Sequence, residues 1–191
     1  KNQQVYLRFS DLLDNCANLR NDLPIEMLRR LSGNPSRINL QFFLGGPRAG
    51  TPLHAELNYN IFMQVFGSKR WVLFPVSATE RLGVPAAGRF YFFSPLDPLK
   101  PPRIKTSTAK LQGWEIILDR GDILLCPPFL WHAVENLTTS CSIGFKYNRL
   151  WQAMRISPLL FAMNLFARNP SYPTYIWHAF VRKRHPILAT K

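Results

Sequence analysis

Apolar positions in the first 36 residues recur at helical spacing. Leu12, Leu13 and Cys16 would fall on one helix face, because residues three and four apart are neighbours on a helix. A Gly-Asn-Pro sequence at residues 33–35 is a stop signal. The pattern predicts an N-terminal helical segment over residues 1–36.

From residue 37 the pattern changes to short runs rich in β-branched and aromatic residues. Turn signals separate them, such as Gly-Gly-Pro at 45–47 and Arg-Gly-Asp at 120–122. Many short, regularly punctuated strands indicate an antiparallel sandwich or barrel, so we predict a mainly β core over residues 37–148. The predicted strands are Ile38–Leu44, His54–Asn60, Ile61–Phe66, Arg70–Phe74, Trp114–Leu118, Ile123–Cys126, His132–Glu135 and Ser140–Tyr147.

Two segments depart from the strand pattern. Residues 76–113 contain a Pro-rich stretch too long for a hairpin loop, and loops of this length are usually lids or recognition segments. After Asn148 helical spacing returns with Trp151, Met154 and Leu159, which predicts a C-terminal helical segment over residues 149–191. Its wide apolar faces leave two roles open, covering one end of the barrel or acting as a dimerisation element.

Composition limits the class of protein. The 191 residues are 47% apolar, which suits one globular core and excludes a disordered composition. No apolar run is long enough to cross a bilayer, and the first residues lack the plan of a secretion signal. The three cysteines have no CxxC spacing, which fits a reducing compartment. We expect a cytoplasmic protein without a membrane span, or a nuclear one if the source is eukaryotic.

The net charge of +13 is concentrated near the C-terminus. The last acidic residue is Glu135, and the basic residues that follow it are Lys146, Arg149, Arg155, Arg168, Arg182, Lys183, Arg184 and Lys191. Such a region attracts polyanions, including RNA and acidic proteins. A solvated surface that only favours solubility explains the charge equally well, so both interpretations stay open.

Three residues are candidates for a metal site. His54 and Glu56 stand two apart in a predicted strand, so their side chains point to the same side. His132 follows a strand and a Pro turn and is placed to supply a third ligand. Two imidazoles and a carboxylate form the facial triad of non-haem Fe(II) oxygenases, whose open positions accept a 2-oxo acid and dioxygen. A lone histidine is more often structural, but two of only four histidines occupy the places that this site requires.

Two stretches carry a family resemblance, TPLHAELNYNIFMQVFGSKRWVLFP at 51–75 and GDILLCPPFLWHAVENL at 121–137. Residues 37–148 resemble the cupin-like hydroxylases related to JmjC proteins, a group that includes the asparaginyl hydroxylase of hypoxia-inducible factor. The resemblance implies a double-stranded β-helix, the jelly-roll or cupin barrel, with flanking helices. It also implies a dioxygenase that uses Fe(II), 2-oxoglutarate and dioxygen, with His54, Glu56 and His132 as its metal ligands and catalytic centre.

The resemblance also assigns the 2-oxoglutarate site. Lys69 matches the lysine that pairs with the distal carboxylate of 2-oxoglutarate, Thr51 matches a hydroxyl that binds the same carboxylate, and Asn60 matches a polar pocket residue. Each has a plainer alternative. Lys69 follows Gly67-Ser68 and would then be a solvent-facing turn lysine, a role that suits Arg70 better. Thr51 would simply begin a strand before Pro52.

Two residues depart from the family pattern. Glu56 stands where many cupin-like relatives have aspartate, although JmjC demethylases often have glutamate there. Gly144 stands where the asparaginyl hydroxylase has an asparagine near the cosubstrate. Lys146 and Asn148 share the strand face of Gly144 and are candidates to compensate for the missing side chain.

The expected function is an Fe(II)- and 2-oxoglutarate-dependent hydroxylase, with a protein side chain as its first-ranked substrate. The alternatives are oxidation of an RNA or tRNA base, demethylation of N-methyl-lysine, and a cupin-fold binding module that has lost catalysis. The basic C-terminal part favours RNA or another polyanion as a partner, and the C-terminal helices favour a homodimer.

Overall fold

Ten strands and six α-helices make up the part of the chain that the computed structural model describes, namely residues 6–10, 12–82, 91–99 and 111–167. A single 3-10 turn, Val76–Ala78, precedes the fourth helix. In chain order the elements are β1 (Tyr6–Ser10), α1 (Leu12–Asn15), α2 (Ala17–Asn21), α3 (Ile25–Leu31), β2 (Ile38–Gly45), β3 (Gly50–Glu56), β4 (Tyr59–Phe66), β5 (Lys69–Phe74), α4 (Thr79–Leu82), β6 (Tyr91–Phe93), β7 (Trp114–Leu118), β8 (Ile123–Cys126), β9 (Trp131–Asn136), β10 (Ser140–Tyr147), α5 (Leu150–Ile156) and α6 (Pro158–Ala167).

The strands form two five-stranded antiparallel sheets that pack face to face. Sheet A has the order β1-β2-β10-β4-β8, and sheet B has the order β6-β3-β9-β5-β7. Consecutive strands of the chain often lie in opposite sheets, as β3 and β4 do, which is the jelly-roll arrangement. The predicted mainly β, cupin-like fold is therefore confirmed.

Alternation along the strands produces three apolar layers. The first lies between the sheets and draws Phe43 and Phe62 from sheet A and Trp71 and Val134 from sheet B. Because successive side chains of a strand point to opposite faces, the outer faces are apolar as well. Helices α1 and α3 cover the outside of sheet A, and α4, α5 and α6 cover the outside of sheet B. Polar groups facing the space between the sheets are therefore enclosed by apolar walls.

Two element predictions need correction. The run His54–Asn60, predicted as one strand, is divided between β3 and β4, and a bend at Leu57 and Asn58 separates them. Apolar and strand-favouring residues flank the bend, and no Gly or Pro marks it. The N-terminal segment is also not purely helical, because Tyr6–Ser10 forms an edge strand paired with β2.

Residues 76–113 also contain structure that was not predicted. Tyr91–Phe93 forms β6, which pairs with β3 so that Phe93 lies opposite His54. The predicted C-terminal helical segment is described as far as residue 167 and contains α5 and α6. The other two histidines of the chain, His178 and His185, lie outside the described residues. Among the described helices, none has the length and apolar character needed to span a bilayer.

Candidate active site

Adjacent strands of sheet B bring together the three predicted metal ligands. His54 and Glu56 lie on β3, and His132 lies on β9 directly opposite His54 in the strand register. One potential ligand atom from each residue lies within 4.8 Å of the others. All three side chains are buried between the sheets. The i, i+2 spacing and the antiparallel pairing thus produce a three-donor cluster.

Backbone carbonyl groups orient both imidazole rings. The Nδ1 atom of His54 lies 2.8 Å from the carbonyl oxygen of Pro52. The Nδ1 atom of His132 makes the equivalent contact with Leu130 at 2.9 Å. A carbonyl oxygen only accepts, so each Nδ1–H donates and each Nε2 presents its lone pair. Histidines that bind metals are usually held in this way.

Burial keeps the two imidazoles neutral. Desolvation, reinforced by the neighbouring His132, lowers the pKa of His54 to about 3. Desolvation likewise lowers the pKa of His132 to about 4. Since metal ions bind the unprotonated ring, both side chains are ready to ligate at neutral pH without first losing a proton.

The two oxygens of the Glu56 carboxylate lie in different environments. Its Oε2 atom accepts a hydrogen bond from Lys146 Nζ at 2.7 Å. Its Oε1 atom is buried and has no hydrogen-bond partner among the described residues. Buried polar atoms are rarely left without a partner, so Oε1 is the carboxylate oxygen available to a metal ion. Two neutral imidazoles and this oxygen fit Fe(II) or a related divalent transition metal.

Lys69 is completely buried, with 0% of its surface exposed. Its Nζ lies 5.1 Å from the ring centre of Phe62 and 5.5 Å from those of Tyr6 and Phe43. Within the described part of the chain, Nζ has no hydrogen-bond partner. Burial lowers the pKa of Lys69 to about 8. An ammonium group left unpaired in such surroundings is a candidate to receive an anion.

The alternative interpretation of Lys69 as an exposed turn lysine is wrong. Its neighbour Arg70 has that outward position, and its guanidinium lies 2.9 Å from Glu115 and 3.9 Å from Glu135. Lys69 faces inward because it shares the strand face of Trp71 and Leu73, which belong to the core between the sheets.

A pocket joins the metal-binding cluster to two further predicted residues. Thr51 and Asn60 both line it, with Asn60 on the facing sheet. Gly144 lies beside Asn60, and a Cβ atom added there would be 3.1 Å from Asn60 Oδ1. That oxygen is buried without a hydrogen-bond partner in the described residues. A side chain at Gly144 would crowd this oxygen and also the ring of Phe43, which would lie 3.2 Å from the added Cβ atom.

Several pocket residues were missed or interpreted differently. Tyr6 and Lys146 line the pocket; Tyr6 was missed, and Lys146 was considered only as a substitute for the side chain absent at Gly144. Phe62 and Trp71, which received no role in the sequence analysis, line it too. The Trp71 ring stacks on His132 with centres 5.5 Å apart. Strand parity could have found Trp71, since it stands two residues from Lys69.

A family described as "Cupin-like domain" matches residues 1–164. Curated relatives include a Jumonji C domain-containing protein 5 of Drosophila melanogaster, 29% identical over 73% of this chain and 36% of the relative. A lysine-specific demethylase 8 of Xenopus tropicalis is 31% identical over 75% of this chain and 33% of the relative. The chain thus spans about a third of the length of the curated relatives that it matches.

Solved structures also resemble this chain at low identity. A ribosomal oxygenase of Escherichia coli, crystallised with cobalt and 2-oxoglutarate, is 18% identical over 66% of this chain and 28% of that chain, with a TM-score of 0.42. A cupin superfamily protein of Desulfitobacterium hafniense is 10% identical over 60% of this chain and 70% of that chain, with a TM-score of 0.36.

Proposed function

This chain belongs to the cupin-like domain family, and from that premise we propose that it is an Fe(II)- and 2-oxoglutarate-dependent oxygenase. The observation that carries the proposal is the buried cluster of His54, Glu56 and His132 beside a pocket whose wall adjoins a buried ammonium group. The rings of Tyr6, Phe43 and Phe62 line that pocket and also surround Lys69 Nζ. The relatives described as JmjC-domain proteins and demethylases support the same class.

Each residue has a defined task in this proposal. Iron and 2-oxoglutarate, when bound, supply the oxidation of a substrate C–H bond by dioxygen. His54 and His132 hold the metal through Nε2, and Glu56 holds it through Oε1. Lys69 extends from the surrounding rings to pair with the distal carboxylate of 2-oxoglutarate, with Thr51 and Asn60 as polar neighbours. The apolar layer between the sheets excludes water, which strengthens each of these charge interactions.

Protein side-chain hydroxylation is the first-ranked reaction. Support comes from the relatives, because a name such as lysine-specific demethylase describes action on a protein target. Demethylation of N-methyl-lysine is the second candidate and is favoured by the demethylase names themselves. The two reactions differ in product, since demethylation releases formaldehyde and hydroxylation leaves oxygen on the substrate. Formaldehyde release from a methylated histone peptide would favour demethylation over hydroxylation.

A thermal unfolding experiment tests cofactor binding. Mn(II) with 2-oxoglutarate should raise the melting temperature, because ligands that bind only the folded state stabilise it. At about 100 times the dissociation constant the gain is about 2.7 kcal/mol, or about 5–10 °C for a chain of this size. His132→Ala should abolish the gain.

Catalysis requires a second measurement. We expect slow, iron-dependent formation of succinate from 2-oxoglutarate in the wild type and none in His132→Ala. A cupin-fold binding module that has lost catalysis would bind the metal poorly or gain no stability from 2-oxoglutarate, and it would form no succinate. Absence of both signals would contradict the proposed function.

A further inference from the structure

Lys146 crosses the interior of the sandwich and pairs with a proposed metal ligand. It belongs to β10 in sheet A, whereas Glu56 belongs to β3 in sheet B. The Nζ and Oε2 atoms are 2.7 Å apart, and both side chains are only 5% exposed. Lys146 also lines the pocket beside His54 and His132. A buried cation therefore stands next to the place where a divalent cation is proposed to bind.

This position is electrostatically costly for metal binding. Two cations a few ångströms apart in a water-poor site repel strongly. Lys146 should therefore lower the affinity of the site for a metal ion, a cost that calls for a compensating role. The length of the glutamate side chain explains what Lys146 contributes. With one more rotatable bond than aspartate, Glu56 can turn both oxygens onto one ion. The hydrogen bond from Lys146 engages Oε2 alone, while Oε1 has no partner among the residues that the structure describes.

We propose that Lys146 is a positioning residue that keeps Glu56 a one-oxygen ligand of the metal. It retains Oε2 and leaves Oε1 to the ion. The inference rests on the proposed function and extends it to a residue outside the metal triad. An octahedral ion with three protein donors keeps about three open positions. A 2-oxo acid needs two of them and dioxygen needs the third.

The number of oxygens that Glu56 gives to the ion decides how many coordination positions stay open. If both oxygens of Glu56 bound the ion, about two positions would stay open. Chelation by 2-oxoglutarate would then leave none for dioxygen. Lys146 thus lowers the affinity for the metal and in return keeps one more coordination position open. An ordinary buried ion pair predicts the opposite sign, because removing one partner leaves the other charge buried and unsupported.

The test counts water molecules on Mn(II) by electron paramagnetic resonance line broadening in water enriched in oxygen-17. Wild type and Lys146→Met are compared, and Lys69→Met is the matched control. The control removes the same charge from the other buried lysine, whose Nζ packs against the rings of Tyr6, Phe43 and Phe62. Manganese affinity is measured on the same samples by the signal of the free ion.

The proposal predicts about three waters in wild type and in Lys69→Met, and about two in Lys146→Met. Lys146→Met should also bind Mn(II) about ten-fold more tightly or better, because it loses a repelling charge and gains a carboxylate donor. An unchanged water count, or weaker binding by Lys146→Met, would overturn the inference while leaving the proposed function intact.

Two further outcomes are also decisive. If wild type binds no Mn(II), the proposed function fails and the inference fails with it. If Lys146→Met does not fold, the wild-type count alone decides, since about three waters support a one-oxygen Glu56 and about two overturn it.

Discussion

Lys69 places an ammonium group where water does not reach it. Burial lowers its pKa from 10.5 to about 8, which means that the folded chain disfavours the charged form. The buried charge therefore lowers the unfolding free energy of the free protein. An anion that pairs with Lys69 would raise the unfolding free energy again. Buried groups with shifted pKa values of this kind are concentrated at functional sites.

Replacing Lys69 with methionine should change how stability depends on pH. Between about pH 8 and pH 10.5 the unfolded lysine is protonated and the folded one is not. The unfolded state then binds more protons, so the unfolding free energy rises with pH. Buried Tyr6, Tyr91 and Cys126 have raised pKa values and oppose this rise in both proteins. The contribution of Lys69 is therefore the difference, a gain of about 3 kcal/mol by wild type relative to Lys69→Met across the range. Urea denaturation across this range measures it, and parallel curves for the two proteins would contradict the assigned burial cost.

Some site residues can be identified from sequence because their geometry is local. His54 and Glu56 are two residues apart on one strand, and Lys69 belongs to the inward-facing set of β5. Tyr6 and Lys146 reach the pocket only through long-range strand pairing and sheet packing. No spacing rule connects Lys146 with Glu56, 90 residues away in the chain.

At the scale of elements, the close approach of β3 and β9 positions the metal ligands. A Cβ atom added to Gly50 would lie 1.9 Å from the carbonyl oxygen of Val134. Only glycine allows this contact, and His54 and His132 pair a few residues further along the same two strands.

Gly50→Ala should therefore push β3 away from β9. We expect a loss of about 1–3 kcal/mol of unfolding free energy and weaker Mn(II) binding, because His54 moves with its strand. Gly46→Ala is the matched control, since a Cβ atom there has no neighbour within 4 Å. Equal stability and metal affinity in the two variants would show that strand contact at Gly50 does not position the site.

The strands of the core were largely predictable, but their interruptions were not. Regular alternation with clear turn signals predicted β5, β7, β8 and β10 to within about one residue. The break between β3 and β4 has no Gly or Pro, and β6 has only three residues. Strand β1 owes its conformation to pairing with β2, a long-range contact that local propensity does not encode.

At the scale of the whole molecule, the site lies between two sheets that helices cover on both outer faces. The C-terminal helices leave large apolar side chains exposed, including Trp151 at 63%, Leu159 at 67% and Phe166 at 67%. Large apolar side chains left exposed are candidates for burial in an interface, and we propose a homodimer through these helices.

Light scattering coupled to size exclusion tests the dimer. We expect about twice the monomer mass for wild type, and the monomer mass for a Leu159→Glu/Phe166→Glu variant, because buried unpaired charges destabilise an apolar interface. The matched control is Leu125→Glu, which changes an exposed side chain on β8. A monomeric wild type, or a double variant that stays dimeric, would refute this interface.

The most direct test of the central claim is anaerobic absorption spectroscopy of the Fe(II)-loaded protein. Addition of 2-oxoglutarate should produce the visible charge-transfer band of a 2-oxo acid chelated to Fe(II). The band should require a higher 2-oxoglutarate concentration in Lys69→Met, and it should be absent in His132→Ala. A wild-type protein that binds Fe(II) but shows no band at saturating 2-oxoglutarate would contradict the assignment of this cluster as a 2-oxoglutarate-dependent iron site.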